Sequence, residues 1–293
     1  MAKQHDKLMT DLHRMLDAQN FKSLEEAQKF MDTIVGKEIP SFPDEVLTDA
    51  EKAQDLVLDA YELPPKKAKA NIEKALKLDP DCIEAYEFLA LHTPVPERAI
   101  NYIKIAIDIG RHRFGGEYLD KNKGYFWGLH ETRTYMRCLL LYADMLNEAG
   151  EQKKSIAVME EMLELNPNDN QGVRDQLMLY FIETNQDEKY LKYVKIFKDD
   201  HSAFALFGAA LFIFKNKGAV AQATKKLKAA IEYNRYVPAL LTRKKPLENL
   251  SGYYSPGDKE EAIYYASFAH RVWNSIPGAI DWLKEVKESL QKP

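Results

Sequence analysis

Residues 136–169 read MRCLLLYADMLNEAGEQKKSIAVMEEMLELNPND, and the fold class follows from them. Leu139, Tyr142, Ala143 and Leu146 recur at three- and four-residue steps, the apolar stripe of an amphipathic helix. Gly150 breaks that helix. Ser155, Met159 and Met162 continue a stripe at steps of four and three, and Pro167 follows five residues later. Proline has no amide proton and biases Asn166 away from helical geometry, so the second helix ends there. The small Ala143 lets the two helices approach, while the large residues fill the space to the next element. One such hairpin cannot bury its apolar face alone and needs neighbours.

The pattern recurs along the chain. Ala68, Ile72, Ala75 and Pro80 repeat the second-helix ladder. Ala99, Ile103 and Ala106 repeat its first two steps, as do Ala223, Leu227 and Ala230, with Arg235 where the proline would fall. Phe204, Phe207, Gly208 and Leu211 reproduce the register of Leu139 to Leu146, which predicts Gly208 where the two helices of its hairpin touch. Val173, Leu177 and Tyr180, then Tyr193 and Ile196, form a degenerate copy. The expectation is an all-α chain, an α-solenoid of about five helical hairpins with N- and C-terminal helical caps.

This layout resembles the tetratricopeptide repeat over residues 44–237. A second resemblance lies in less usual strings: LNPNDNQGVRDQL (165–177), GYFWGLHETRTYMRCL (124–139), IEYNRYVPALL (231–241) and SPGDKEEAIYYASFAH (255–270). They resemble segments of the suppression-of-tumorigenicity-seven family and its bacterial tetratricopeptide-like relatives. That resemblance implies a helical repeat fold without established enzymatic chemistry. The membrane-spanning segment of the animal members has no counterpart here, so a membrane location does not carry over.

Five segments are expected: an N-terminal helical cap (1–43), hairpins one and two (44–109), an excursion (110–130), hairpins three to five (131–242), and a loop with C-terminal capping helices (243–293). In the cap, Leu8, Leu12, Met15 and Leu16 form one amphipathic helix, and Ser23 with Glu26 resembles a capping box before Ala27, Phe30, Met31 and Ile34. Gly36 ends that second helix, and IPSFPD is a linker. The excursion GRHRFGGEYLDKNKGYFWGLH is basic, aromatic and glycine-rich, and is expected to be ordered, with Phe126 and Trp127 against the third hairpin. In the closing helices the stripes are Ala262, Tyr265, Ala266 and Ala269, then Ile280, Trp282, Leu283 and Val286.

Composition narrows the function. The 293 residues carry 41 Lys and Arg against 45 Asp and Glu, a net charge of -4, so nothing global favours nucleic acid or an anionic membrane. The longest apolar run, residues 203–214, has twelve residues where a membrane span needs about 20, and no signal peptide is evident, so the expected location is cytoplasmic. The only cysteines, Cys82 and Cys138, are far apart and read as buried and inert. No two of the seven histidines stand at metal-site spacing, and phosphate-loop, dinucleotide and hydrolase motifs are missing. No cofactor or metal is therefore expected. The adjacent pairs Glu160–Glu161 and Glu260–Glu261 read as solvated helix faces.

The reading that follows is a non-catalytic scaffold that binds a peptide or protein segment on a concave first-helix face. Its partner is a protein of unknown identity, with neither nucleic acid nor membrane expected. Self-association through the apolar 203–214 helix is one alternative, with a homo-oligomer as its product. An enzyme built on the excursion is another. By helical phase Arg137, Leu140, Asp144 and Asn147 leave the buried stripe and face the groove, and Asn170, Gln171 and Arg174 open the next hairpin. Trp127, Glu131 and Arg133 are expected at the groove mouth. Arg137 and Arg174 could each fork onto a carboxylate of a partner, or onto one of a neighbouring repeat.

Overall fold

The computed structural model describes residues 2–19, 21–37, 42–245 and 253–290. Among them are sixteen α-helices and no strand, so the all-α expectation holds. The chain divides into two compact units, 1–168 and 169–293. No helix among the described residues is long and apolar enough to cross a membrane. The linker IPSFPD and the loop after Arg243 lie partly outside the described residues, at 38–41 and 246–252.

The first unit contains α1 (Ala2–Asp17), α2 (Leu24–Ile34), α3 (Asp49–Ala60), α4 (Pro65–Leu78), α5 (Ile83–His92), α6 (Pro96–Arg113), α7 (Glu117–Asn122), α8 (Arg133–Glu148) and α9 (Gln152–Leu165). Three sequential pairs pack closely: α3 on α4, α5 on α6, and α8 on α9. The ladder residues Ala68, Ile72, Ala75, Ala99, Ile103, Ala106, Ser155, Met159 and Met162 are all buried. Each large aliphatic among them contributes about 1.5–3 kcal/mol by leaving water. The small-residue contact is visible at α8 and α9, where the Ser155 hydroxyl donates to the Ala143 carbonyl at 2.8 Å. Gly150 ends α8 in the left-handed region at φ 77°, where a side chain would be strained.

The N-terminal helix departs from its apolar reading. Leu8 is 44% exposed, whereas Arg14 turns inward to Asp55 at 3.0 Å, Asp11 at 3.3 Å and Glu51 at 3.5 Å. The helix thus docks on α3 partly through ions, and Leu12, Met15 and Leu16 are only half-buried. At Ser23 the box is half-formed: its hydroxyl accepts from Glu26 N, but Glu26 accepts from Lys22 N. Thr48 and Glu51 make the full reciprocal box at the start of α3. The excursion also begins later than expected, because α6 continues to Arg113.

The second unit contains α10 (Val173–Glu183), α11 (Asp187–Ile196), α12 (Ala203–Lys217), α13 (Ala221–Tyr233), α14 (Val237–Leu241), α15 (Lys259–Ser275) and α16 (Ala279–Ser289). Here α10 pairs with α11 and α12 with α13, while α10 also packs on α12 and α15. Ala223, Leu227, Ala230 and the closing-helix stripes are buried, save a half-buried Ile280. Ile196 is not: at 55% exposure it is the one residue of the degenerate copy outside, while Val173, Leu177, Tyr180 and Tyr193 are buried. The apolar α12 is covered within its own unit, with Phe212 stacked on Tyr190 and Phe214 on Trp282. Gly208 differs from its expected role, since a Cβ there would first meet Tyr190 of α11 at 3.8 Å.

Of the glutamates read as solvated, Glu261 is buried and Glu161 is half-buried in an ion pair. Glu261 is 2% exposed and accepts from Ala203 N, Tyr233 Oη, Asn234 Nδ2 and Gly257 N at 2.7–3.0 Å. One carboxylate therefore joins the start of α12, the end of α13 and the approach to α15. Glu161 accepts from Arg111 at 2.7 Å and from the Tyr135 hydroxyl at 3.3 Å.

Candidate functional site

In the first unit the excursion is tied to its neighbours through backbone and side-chain hydrogen bonds. Phe126 is fully buried, and its amide donates to the Leu165 carbonyl at 3.2 Å, tying it to the end of α9. Thr132 donates to the Phe126 carbonyl, and Arg133 Nε donates to the Trp127 carbonyl at 3.1 Å. Glu131 accepts from the Tyr118 hydroxyl at 2.9 Å. Trp127 itself is only half-buried. Beside it, the ring of His130 stacks on His13 of α1, centroids 4.1 Å apart. Burial pushes the His130 imidazole below its ordinary range, with His13 and Arg133 adding to the effect.

Arg137 is held by its own chain. Its guanidinium grips Glu87 of α5 through Nε and an Nη, both at 2.8 Å, and donates to Thr134 at 3.1 Å. This is a bidentate pair between neighbouring hairpins, the salt-bridge alternative. Leu140 and Asn147 are half-buried on the same helix. Asp144 is too, and burial first, then Glu148, pushes its carboxyl up to about 6. Both thiols, Cys82 and Cys138, are buried and pushed up by that burial, so a helix start at Cys82 does not make it reactive.

The second unit holds a concavity of about 330 Å³, lined by residues from α10 to α13. Its polar end is built at the start of α10. Asp169, at φ 51°, turns its carboxylate onto the amides of Val173 and Arg174, at 2.7 and 3.1 Å, and so serves the helix start that Gly172 cannot cap. Arg174 then lies between Asp200 at 3.1 Å and Asp169 at 3.5 Å, with its guanidinium 5.1 Å from the centre of the Phe197 ring. Asp175 is 7% exposed; its nearest cation, Arg174 Nε, is 3.9 Å away, and among the described residues it makes no side-chain hydrogen bond. Burial pushes this carboxyl up to about 7, against the pull of Arg174. Tyr190, Val194, Phe204, Leu206 and Ala209 make the apolar wall, and the exposed Lys198 and Lys226 stand at the lining's edge.

Of the expected binding residues, Arg174 alone lines this cavity; Asn170 is exposed and Gln171 half-buried just before it. Asp175, Asp200, Phe197 and Tyr190 were not singled out by sequence. The available signal was an acid set beside an arginine in VRDQLMLYFIE, a helix otherwise apolar on nearly every side. No family model, no curated protein and no solved structure matches the chain.

Proposed function

We propose that the protein is a non-catalytic interaction module of tetratricopeptide-like hairpins that holds a segment of a partner protein. The observation that carries this reading is the cavity between α10 and α13, whose volume falls at the lower end of ligand pockets and suits one or two side chains. Two features support it. The cavity is walled by rigid helices, so little ordering is needed on binding. Its apolar wall is closed by a few polar groups at one end, the composition that lends a pocket orientation as well as affinity. The proposed site thus lies in the second unit, and Arg137 acts as a tie between α5 and α8.

The test fills the cavity. Ala209→Phe places a ring in it from α12, and wild type and variant are used side by side to capture cross-linked partners for mass spectrometry. At least one partner held by the wild type should be lost with the variant, whose helical content and melting are checked in parallel. Identical capture by two folded proteins would remove the cavity from the binding surface.

A further inference from the structure

At the polar end of this cavity the carboxylates gather on one guanidinium, while its two lysines stand exposed at the edge. Asp169, Asp175 and Asp200 surround a single guanidinium, Arg174, which already has partners at 3.1 and 3.5 Å. Asp169 is further committed to two backbone amides. Among the described residues Asp175 has no such commitment and only Arg174, 3.9 Å away, as a cation, although its side chain is buried. A buried carboxylate without a hydrogen bond is costly, and an outside donor would relieve that cost. The chain also displays the matching chemistry at the same place: the Arg174 guanidinium lies over Phe197, so this wall already accepts a cation against an aromatic face.

Resting on the reading of a segment-binding module, we propose that the cavity takes a basic side chain of that segment, its ammonium or guanidinium against Asp175 and Asp200 and an apolar neighbour against Tyr190 and Phe204. The polarity is the reverse of an arginine clamp for acidic peptides. Lys198 and Lys226 do not oppose it strongly, because both are exposed and water screens them. Asp175 discriminates by charge and the wall by shape: an acidic segment would meet a carboxylate whose nearest cation is Arg174 at 3.9 Å, and a neutral one would bring it no further partner.

The binding should also depend on pH. The charged and titratable groups that face Asp175 are Arg174 on its own helix, Asp169 before it, and Asp200 with His201 before α12. Tyr190 of α11, Lys198 after it, Lys226 of α13 and Glu261 of α15 complete the set among the described residues, with Tyr254 beyond them. Since burial holds the Asp175 carboxyl at about 7, raising the pH from 6 to 8 converts it from mostly neutral to mostly ionised. Affinity for a cation should then rise about tenfold.

The probes are acetylated, amidated hexapeptides of alanine with Phe-Lys, Phe-norleucine or Phe-Glu at the centre, together with hexylammonium and hexanol. Binding to the full chain is followed by titration calorimetry and by ligand-observed NMR at pH 6 and pH 8. The lysine peptide should bind at least tenfold more tightly than the other two at pH 8, and hexylammonium more tightly than hexanol. Asp175→Asn should abolish both the preference and its pH dependence, whereas His201→Gln should leave them. Ala209→Phe, which keeps the carboxylates, should weaken every probe. If the norleucine or glutamate peptide binds as well as the lysine peptide, the cation assignment falls while segment binding stands. If hexylammonium binds and no peptide does, the segment reading falls and with it the proposed source of the cation. If no cation binds at either pH, the proposal is overturned.

Discussion

Gly110 shows how one missing methyl sets a helix contact. It is buried in α6, and a Cβ built there would land on the ring of Tyr135 in α8. That ring cannot move aside, because Phe114 and Phe126 flank it and its hydroxyl reaches Glu161. Gly110→Ala should therefore cost about 1–3 kcal/mol through overpacking, in spite of alanine's better helix propensity. Gly208→Ala should do the opposite: with 3.8 Å to its nearest neighbour a methyl fits, and the gain in helix propensity is up to about 1 kcal/mol. Urea denaturation of the two variants beside wild type checks both. Equal effects of the two substitutions would mean that the close approach is not at Gly110.

At the scale of elements, helix ends meet at acceptors that lie far away in sequence. Glu261 collects donors from the start of α12, the end of α13 and the loop before α15. Asn234 strengthens the junction by donating to the Asp258 carbonyl at 2.8 Å. Glu261→Ala would leave these donors buried and unpaired, so a loss of about 3 kcal/mol or more is expected. Glu261→Gln, which keeps the shape and part of the acceptor capacity, should cost less. Guanidinium denaturation followed by the fluorescence of Trp273 and Trp282, both in the second unit, reads the effect. Should Glu261→Ala unfold at the wild-type midpoint, this junction is not what holds the three ends.

Across the whole molecule, buried carboxylates shape stability against pH. Asp144 in the first unit and Asp175 in the second are both raised by burial, to about 6 and about 7. In the unfolded chain an aspartate titrates near 3.9. Between pH 4 and 7 the native state therefore binds more protons than the unfolded state, and the contribution of these groups to stability falls as pH rises. From pH 5 to pH 8 the two together should remove about 2–3 kcal/mol, most of it at Asp175, since Asp144 is partly open to water. The double variant Asp144→Asn and Asp175→Asn should lose that decline. Unfolding free energies at pH 5 and pH 8 for both proteins decide the matter, and a parallel decline in the variant would refute it. Such a carboxylate, costly to the fold at neutral pH, is consistent with the cation-binding role proposed for Asp175.

The amino-acid sequence by itself determined the helices and their order. Three- and four-residue steps at Leu139–Leu146 and Ser155–Met162, a glycine at 150 and a proline at 167 act over a few residues, so their effect is readable locally. The ladder positions Ala68, Ile72, Ala75, Ala223, Leu227 and Ala230 are inside for the same reason. The tertiary structure alone decided which charges would be buried and with whom. Glu87 finds Arg137 across 50 residues and Glu261 finds Ala203 across 58, separations no periodicity encodes. Three of the less usual strings, 165–177, 231–241 and 255–270, are where Asp169, Arg174, Asp175, Asn234 and Glu261 stand. Burial is a sum over neighbours brought in from several helices, so a carboxylate looks alike on a solvated face and beside a cavity until those helices close around it.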